Sequence, residues 1–277
     1  MRVHDSHLWA ATDSRLFRLR LEELEVVQDW ERGLVRYASQ IEVADERVVL
    51  ANWLSPSVAI LDTASGRLRR VRVGSQPVLF QHGGRVRVIS GLEGGMQTLD
   101  PARACLVDAT PTPPICSVGV GRDLWGVVAG NAETPRAGRS VPSNVALPRF
   151  RRGSDHIVRL TGEPMSVRLP GRCSRIWCDD GRNVLWCFVE GPVPPGAVIS
   201  GYAVSQRSGR VVAEFHTENA TTLLQRDPEL GVVPVHLVHL DPELGNVLTV
   251  QDYSRRMRGN QVVSSTSTLA CYSLPAL

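Results

Sequence analysis

Apolar positions along the chain either alternate with polar ones or fall in short β-branched blocks, bounded by Gly, Pro, Asp and Asn. That is the period of strands rather than helices. One stretch, LRLEELEVVQDWERGL (residues 19–34), has a helical distribution of charge. It begins inside the alternating run LFRLRL, so strand is expected first and a single turn of helix at most after it. Elsewhere a strand, a tight turn and a second strand recur in MRVHDSHLWAATD, QIEVADERVVLANW, VLFQHGGRVRVISG, ICSVGVGRDLWGVVAG, SRIWCDDGRNVLWCFVE and VHLVHLDPELGNVLTVQD. Their turns (DER, HGG, GRD, DDGRN, DPELGN) have the chemistry of short hairpins. A third strand follows each, in LFRLRLEE, SVAILDTASG, GMQTLDPARA, DHIVRLTGEP, GYAVSQRSGR and TLACYSL. A fourth follows in most, as in RLRRVRVG, CLVDAT, MSVRLPG and VVAEFHT.

Six such units of roughly 35 to 60 residues fill the chain, and four strands at a period near 40 is the requirement of a β-propeller blade. A blade alone exposes both faces of a small sheet, and stacking in a ring buries them. The expectation is an all-β, single-domain propeller over residues 1–277 with six blades of mostly four antiparallel strands, seven being the alternative count. A solenoid would have shorter, more uniform coils, and paired sandwiches would break the regular spacing. Residues 218–234 could hold a degenerate extra blade. The last unit lacks a visible fourth strand, so MRVHD either begins the first blade or completes the last.

The stretch VVLANWLSPSVAILDTASGRLRRVRVGSQP (residues 48–77) resembles the repeat of the YncE-like bacterial propellers, VANxxSxxVxVIDTxTGxxxxxIxVGxxP. The wider group contains virginiamycin B lyase-like and SMP-30/strictosidine synthase-like propellers. The other units resemble it in strand spacing only, and the motif specifies a fold far more than a function.

Composition narrows the chemistry. Hydrophobic residues make up 43% of the 277, enough for a sizeable core, and a net charge of +3 is too small to argue for nucleic acid. No run reaches the ~18 apolar residues of a membrane span. The opening MRVHDSHLWAATDSR lacks the basic head and apolar run of a signal peptide, so a cytoplasmic, reducing setting is expected, with no membrane partner. The six cysteines form no CxxC and no Cys/His zinc spacing, and read as small buried apolar residues; Cys178 and Cys187 could meet across a hairpin. All 31 basic residues are arginine. Without lysine there is no Schiff-base nucleophile, no pyridoxal phosphate anchor and no Walker-type phosphate loop.

In a propeller, first-to-second and third-to-fourth turns lie on one face, and second-to-third loops lie on the other with the crossings between blades. The former are tight throughout. The latter lengthen in GNAETPRAGRSVPSNVALPRFRRGSD, EGPVPPGAVIS and DYSRRMRGNQVVSSTS, which makes their face the expected working face. Two of these segments are basic. Arg136, Arg139, Arg149, Arg151 and Arg152 stand against Glu133 and Asp155, and Arg255, Arg256 and Arg258 against Asp252. Such a rim suits a carboxylate, a phosphate or an acidic peptide. Few aromatics accompany it, which argues against nucleic acid.

The residues closing the second strands, Asp13, Asn52, Ser90, Asn131, Glu190 and Asp252, would reach that same face. The resemblance to SMP-30-like propellers implies a divalent metal held by oxygens near the starts of the innermost strands. The equivalent starts here, around Gln40, Gln76, Cys116, Cys173 and His236, contain no acid, which disfavours an axial metal; no cofactor is expected. His236 and His239 fall on opposite faces of a strand by alternation, and His236, nearer the axis, is the better acid–base candidate. Cys116 and Cys173 lack a placed histidine, and no GxSxG is present. Trp9, Trp125 and Trp186 read as packing anchors, whereas Trp53 in the loop NWLSPS would be a ligand platform.

Three functions are compatible with this reading. The first is a binding or accessory protein of bacterial specialised metabolism that receives a small molecule or peptide with an anionic group through Asp13, Asn52, Trp53, Asn131, Arg151, Arg152, Arg255 and Arg256. The second is a lyase, cyclase or hydrolase like virginiamycin B lyase or strictosidine synthase, with Glu190, His236, Asp252 and Tyr253 as acid–base groups. The third is a scaffold that docks a protein partner. A deep axial pocket with a perturbed carboxylate or histidine would favour the enzyme, an Arg- and Trp-rimmed cup the binder, and a broad apolar patch the scaffold.

Overall fold

The computed structural model describes residues 2–11, 15–23, 25–31, 40–52, 55–133, 150–189, 197–218, 235–241, 246–258 and 261–273; from 235 onward the description is of backbone and register. The described residues contain strands and turns and no helix. Sheet 1 comprises β1 (Arg2–His4), β2 (His7–Ala11), β3 (Arg15–Arg20) and β4 (Val26–Glu31). Sheet 2 comprises β5 (Gln40–Ala44), β6 (Arg47–Ala51), β7 (Ser57–Asp62) and β8 (Leu68–Arg72). Sheet 3 has β9 (Pro77–His82), β10 (Arg85–Ser90), β11 (Gly94–Asp100) and β12 (Cys105–Thr110). Sheet 4 has β13 (Ile115–Val120), β14 (Leu124–Glu133), β15 (Phe150–Arg159) and β16 (Ser166–Arg168). Sheet 5 has β17 (Cys173–Asp179), β18 (Val184–Val189), β19 (Ala197–Ser205) and β20 (Val211–Glu218). The three-stranded sheet 6 has β21 (Val235–Asp241), β22 (Asn246–Arg258) and β23 (Gln261–Ser273). Each sheet runs in chain order with antiparallel neighbours.

Backbone contacts divide the chain into Met1–Ile176 and Trp177–Leu277. In the first unit, first strands follow one another, β1 against β5, β5 against β9 and β9 against β13. The strand period explains the packing between them. In sheet 2, Val48, Leu50, Ala59 and Leu61 join Trp9 and Leu16 of sheet 1 in one core layer. The intervening Val49, Ala51, Val58 and Ile60 join Leu79, Val86, Val88 and Leu99 of sheet 3. Phe80, Ile89 and Met96 then meet Ile115 and Leu124 of sheet 4. A sheet buried on both faces must be apolar at consecutive positions, which is why VVLA and VAIL show no polar alternation. In the second unit an aromatic cluster forms the core, with Trp177 edge-on to Phe188 at 5.0 Å and Phe215 edge-on to Trp186 at 5.4 Å and to Phe188 at 5.6 Å.

Turn chemistry fixes the hairpins. Gly83 and Gly84 both hold positive φ between β9 and β10, as a type I′ turn demands. Asp5 and Asp45 take the same left-handed conformation at the β1–β2 and β5–β6 turns, which short Asx side chains tolerate.

Several expectations need correction. The helical turn foreseen after residue 19 is strand, because Val26–Glu31 pairs with β3 through Leu16↔Trp30 and Arg18↔Gln28. Of the two placements left open for MRVHD, the structure has the first: Arg2↔Trp9 pairs β1 with β2, so the segment begins sheet 1. The foreseen loop at 252–267 is instead a hairpin of two 13-residue strands, paired from Asn246↔Ser273 to Arg258↔Gln261. Arginine and serine made that segment read as loop, but QVVSSTSTL is rich in β-branched residues that suit a pleated backbone. In sheet 4 the strands likewise run on to Glu133 and begin at Phe150, shortening the foreseen 25-residue excursion to 134–149. Cys178 and Cys187 form no disulfide across their hairpin.

Candidate functional site

Three of the sequence candidates, Asp13, Trp53 and Glu190, lie outside the described residues, as do Arg136, Arg139 and Arg149. The structure brings Asn131, Arg151 and Arg152 into one hairpin. Ala132 pairs with Arg151, and Asn131 falls in a bulge between Ala129 and Ala132. It brings His236, Asp252, Tyr253, Arg255 and Arg256 into sheet 6. His236 pairs with Val250, Asp252 with Ser267, Arg255 with Ser265 and Arg256 with Ser264, and Tyr253 occupies a bulge. A second bulge between Leu237 and His239 breaks the strict alternation used to separate the two histidines.

Asn52 and Ser90 are both buried where their second strands end. Ser90 is held by the connections around it: its Oγ donates to the carbonyl of Ser75, in the crossing from sheet 2, at 3.1 Å and contacts the carboxylate of Glu93, in the β10–β11 connection. The Ser75 amide donates to Glu93 Oε2 at 3.0 Å, and the Glu93 amide to Ser90 Oγ at 3.1 Å. The Asn52 carbonyl accepts from the Ser55 amide at 3.0 Å. These two positions brace their connections.

The opposite edge of the same sheets differs. A groove of about 680 Å³, open on one side, is lined by the turns joining β1–β2 (Asp5), β5–β6 (Asp45, Glu46), β7–β8 (Thr63, Ala64) and β9–β10 (Gly84). One wall is sheet 1. There Trp9 stacks on Trp30 at 5.7 Å, and the Arg18 guanidinium lies 5.6 Å over the Trp9 ring. Arg18 Nη2 donates to His7 Nδ1 at 3.4 Å, which requires that ring nitrogen to carry no proton. Burial, reinforced by Arg18 and Arg20 against Asp5, lowers the His7 pKa. His4 Nε2 lies 3.6 Å from Asp5 Oδ2.

Gln81 joins this groove to a polar cluster on the first strands of sheets 1 to 3. Arg2 Nη2 on β1 lies 3.1 Å from Glu42 Oε2 on β5 and donates to Gln81 Oε1 on β9 at 3.4 Å. Glu42 is 7% exposed, and no hydrogen-bond geometry is met at its Oε2, so Arg2 acts on it through charge alone. Burial therefore prevails over Arg2, and the Glu42 pKa is pushed up to about 7. Glu42 is not among the strand-start positions singled out from the sequence. Its signal was local: in QIEVA an acid stands between two apolar residues of an otherwise buried strand.

No family model matches the sequence, and no curated protein matches it. Solved structures do. Hydrazine synthase of Kuenenia stuttgartiensis is 11% identical over 86% of this chain and 63% of its own, with a TM-score of 0.55. Hsv2 of Kluyveromyces marxianus is 11% identical over 89% and 69%, with a TM-score of 0.55. The dihydro-heme d1 dehydrogenase NirN is 12% identical over 91% and 50%, with a TM-score of 0.53. The chain thus spans between half and about two thirds of those proteins.

The fold is an all-β propeller.

At such identities the likeness shows architecture alone, so residue roles rest on the groove and the cluster beside it. Among the described residues no group of three or more His, Cys, Asp or Glu is arranged to hold a metal ion, and no helix is long and apolar enough to cross a membrane.

Proposed function

We propose that this propeller is a binding protein that receives a small molecule or peptide bearing an anionic group, in the groove at the turn edge of sheets 1 to 3. The observation that carries this reading is Arg18. It lines the groove above Trp9 and has no ion-pair partner among the described residues. The neighbouring sheet 1 and sheet 2 arginines are engaged: Arg2 with Glu42, Arg15 with Asp29, Arg20 with Glu23 and Glu25, Arg47 with Asp62. The cavity size falls within the roughly 300–1,000 Å³ of small-ligand sites. The test is a ligand-observed NMR fragment screen against the native chain and Ala64→Trp, a bulky change at an exposed groove position. Fragments that bind the native chain and lose binding to the variant support the reading; fragments indifferent to it refute the site.

Glu42 favours a second reading, in which the bound molecule is chemically altered. A carboxyl group that titrates near neutrality can give or take a proton under ordinary conditions. A fragment converted on incubation with the native chain and left intact by Glu42→Gln would support this; unchanged fragments in both would not.

A further inference from the structure

Sheet 2 contributes the facing half of the groove, and its charge is of the opposite sign. The β5–β6 turn places Asp45 and Glu46 side by side on the lining. Neither carboxylate has an ion-pair or hydrogen-bond partner among the described residues, although the Glu46 carbonyl accepts from the Thr63 amide and hydroxyl, each at 2.9 Å. That pair of bonds ties the β5–β6 turn to the β7–β8 turn and fixes the acidic wall. The sheet 1 side also carries the exposed Asp5 carboxylate at the tip of its turn, away from Trp9 where Arg18 is held. Asp5 sits beside His4, and Arg20, which adds to the positive field at His7, is bound to Glu23 and Glu25.

One cavity therefore presents a guanidinium from sheet 1 and two carboxylates from sheet 2, all three without a counter-charge among the described residues. No ion pair joins Arg18 to Asp45 or Glu46, whereas Arg47 of the same edge pairs with Asp62 at 3.6 Å. The cavity of about 680 Å³ that all three groups line has room for a molecule that carries both charges.

Resting on the binding reading above, we infer that the ligand is a zwitterion of the amino-acid or short-peptide class, its carboxylate on Arg18 and its ammonium on Asp45 and Glu46. The guanidinium fork suits a carboxylate, and the paired carboxylates suit the three donors of an ammonium group. Trp9, itself stacked on Trp30, lies beneath the Arg18 guanidinium and limits its rotamers.

The experiment titrates the full chain with three probes of one shape by heteronuclear NMR: glycyl-phenylalanine, its N-acetyl form and its C-terminal amide. Each cap removes one charge and leaves the rest of the molecule. Loss of one charge-assisted contact should weaken binding about tenfold or more, so both capped forms should bind at least that much more weakly. Arg18→Gln should make binding indifferent to amidation while acetylation still costs affinity. Asp45→Asn with Glu46→Gln should do the reverse, and asparagine keeps the left-handed conformation of residue 45 accessible. A capped form that binds as tightly as the free dipeptide overturns the inference and leaves the groove as a binding site. If none of the three binds, the inference falls; the binding reading then stands or falls on the fragment screen with Ala64→Trp.

Discussion

Replacing Glu42 by glutamine should make the protein more stable at neutral and alkaline pH. In the unfolded chain the carboxyl ionises at its ordinary value of 4.5; in the folded chain burial delays ionisation to about 7. Below 4.5 both states hold the proton. Between the two values the native state keeps a proton that the unfolded state has released, so raising the pH favours unfolding. Above 7 the native carboxylate is charged inside the sheet stack and the full difference is lost. At about 1.4 kcal/mol for each pH unit, the interval corresponds to about 3 kcal/mol. Glutamine has nearly the same shape and never ionises, so the variant should match the native protein near pH 4 and exceed its stability by about 3 kcal/mol near pH 8.5. In thermal terms that is roughly 6–12 °C for a chain of this size. The assay is urea denaturation of both proteins at half-unit steps from pH 4 to 8.5. The difference between them cancels the titration of every other group. A difference independent of pH would refute the reasoning. So would a native protein that gains on the variant as pH rises, which would mean that the 3.1 Å contact with Arg2 outweighs burial.

Three further substitutions test the packing. Asp179→Ala should cost about 3 kcal/mol in chemical denaturation, because its carboxylate accepts from the Arg182 amide and Nη1 at 3.0 Å each and from the buried Trp186 Nε1 at 3.3 Å. Gly201→Ala should cost about 1–3 kcal/mol, since a Cβ there would press on the Cys187 carbonyl and come within 2.7 Å of the Phe215 ring; a neutral denaturation midpoint would contradict it. Gln40→Ala should cost about 1–3 kcal/mol, because Gln40 Oε1 accepts from the Leu79 amide at 2.7 Å and couples sheet 2 to sheet 3; faster hydrogen exchange at Leu79 is its specific readout.

The architecture was legible because strand period and turn chemistry are local. Every one of the six strand–turn–strand units became a hairpin, and the doubly buried blocks VVLA and VAIL foretold packing on two faces. Strand ends were less legible. Polar residues extend β14, β15, β22 and β23 beyond their apolar centres, and sequence reads such residues as loop until a partner strand accepts their backbone. The groove was illegible for a different reason. Arg18, Asp45 and Glu46 lie on different strands and turns, and nothing in their spacing tells which charges will find partners. Glu42 lay in between: its placement among apolar neighbours was visible, but its neighbours Arg2 and Gln81 come from sheets 1 and 3.

Among the described residues the two edges of the sheets treat their polar groups differently. At Ser90 the second-to-third connection closes on itself through Glu93 and Ser75, and at Asn52 through Ser55. The tight turns at the other edge have no length with which to fold back on their own charges. Asp45 and Glu46 occupy a two-residue turn whose backbone is committed to the hairpin and to Thr63, so their side chains project beyond it. Arg18 is held over Trp9 and cannot follow them. A tight turn thus preserves opposed charges that a longer loop would neutralise, and in a stack of sheets it presents them at a defined spacing. On this argument, lengthening the β5–β6 turn by two glycines should let Asp45 or Glu46 reach Arg18 and close the groove. The expected result is loss of glycyl-phenylalanine binding with unchanged folding; retained binding would show that turn rigidity does not hold the charges apart.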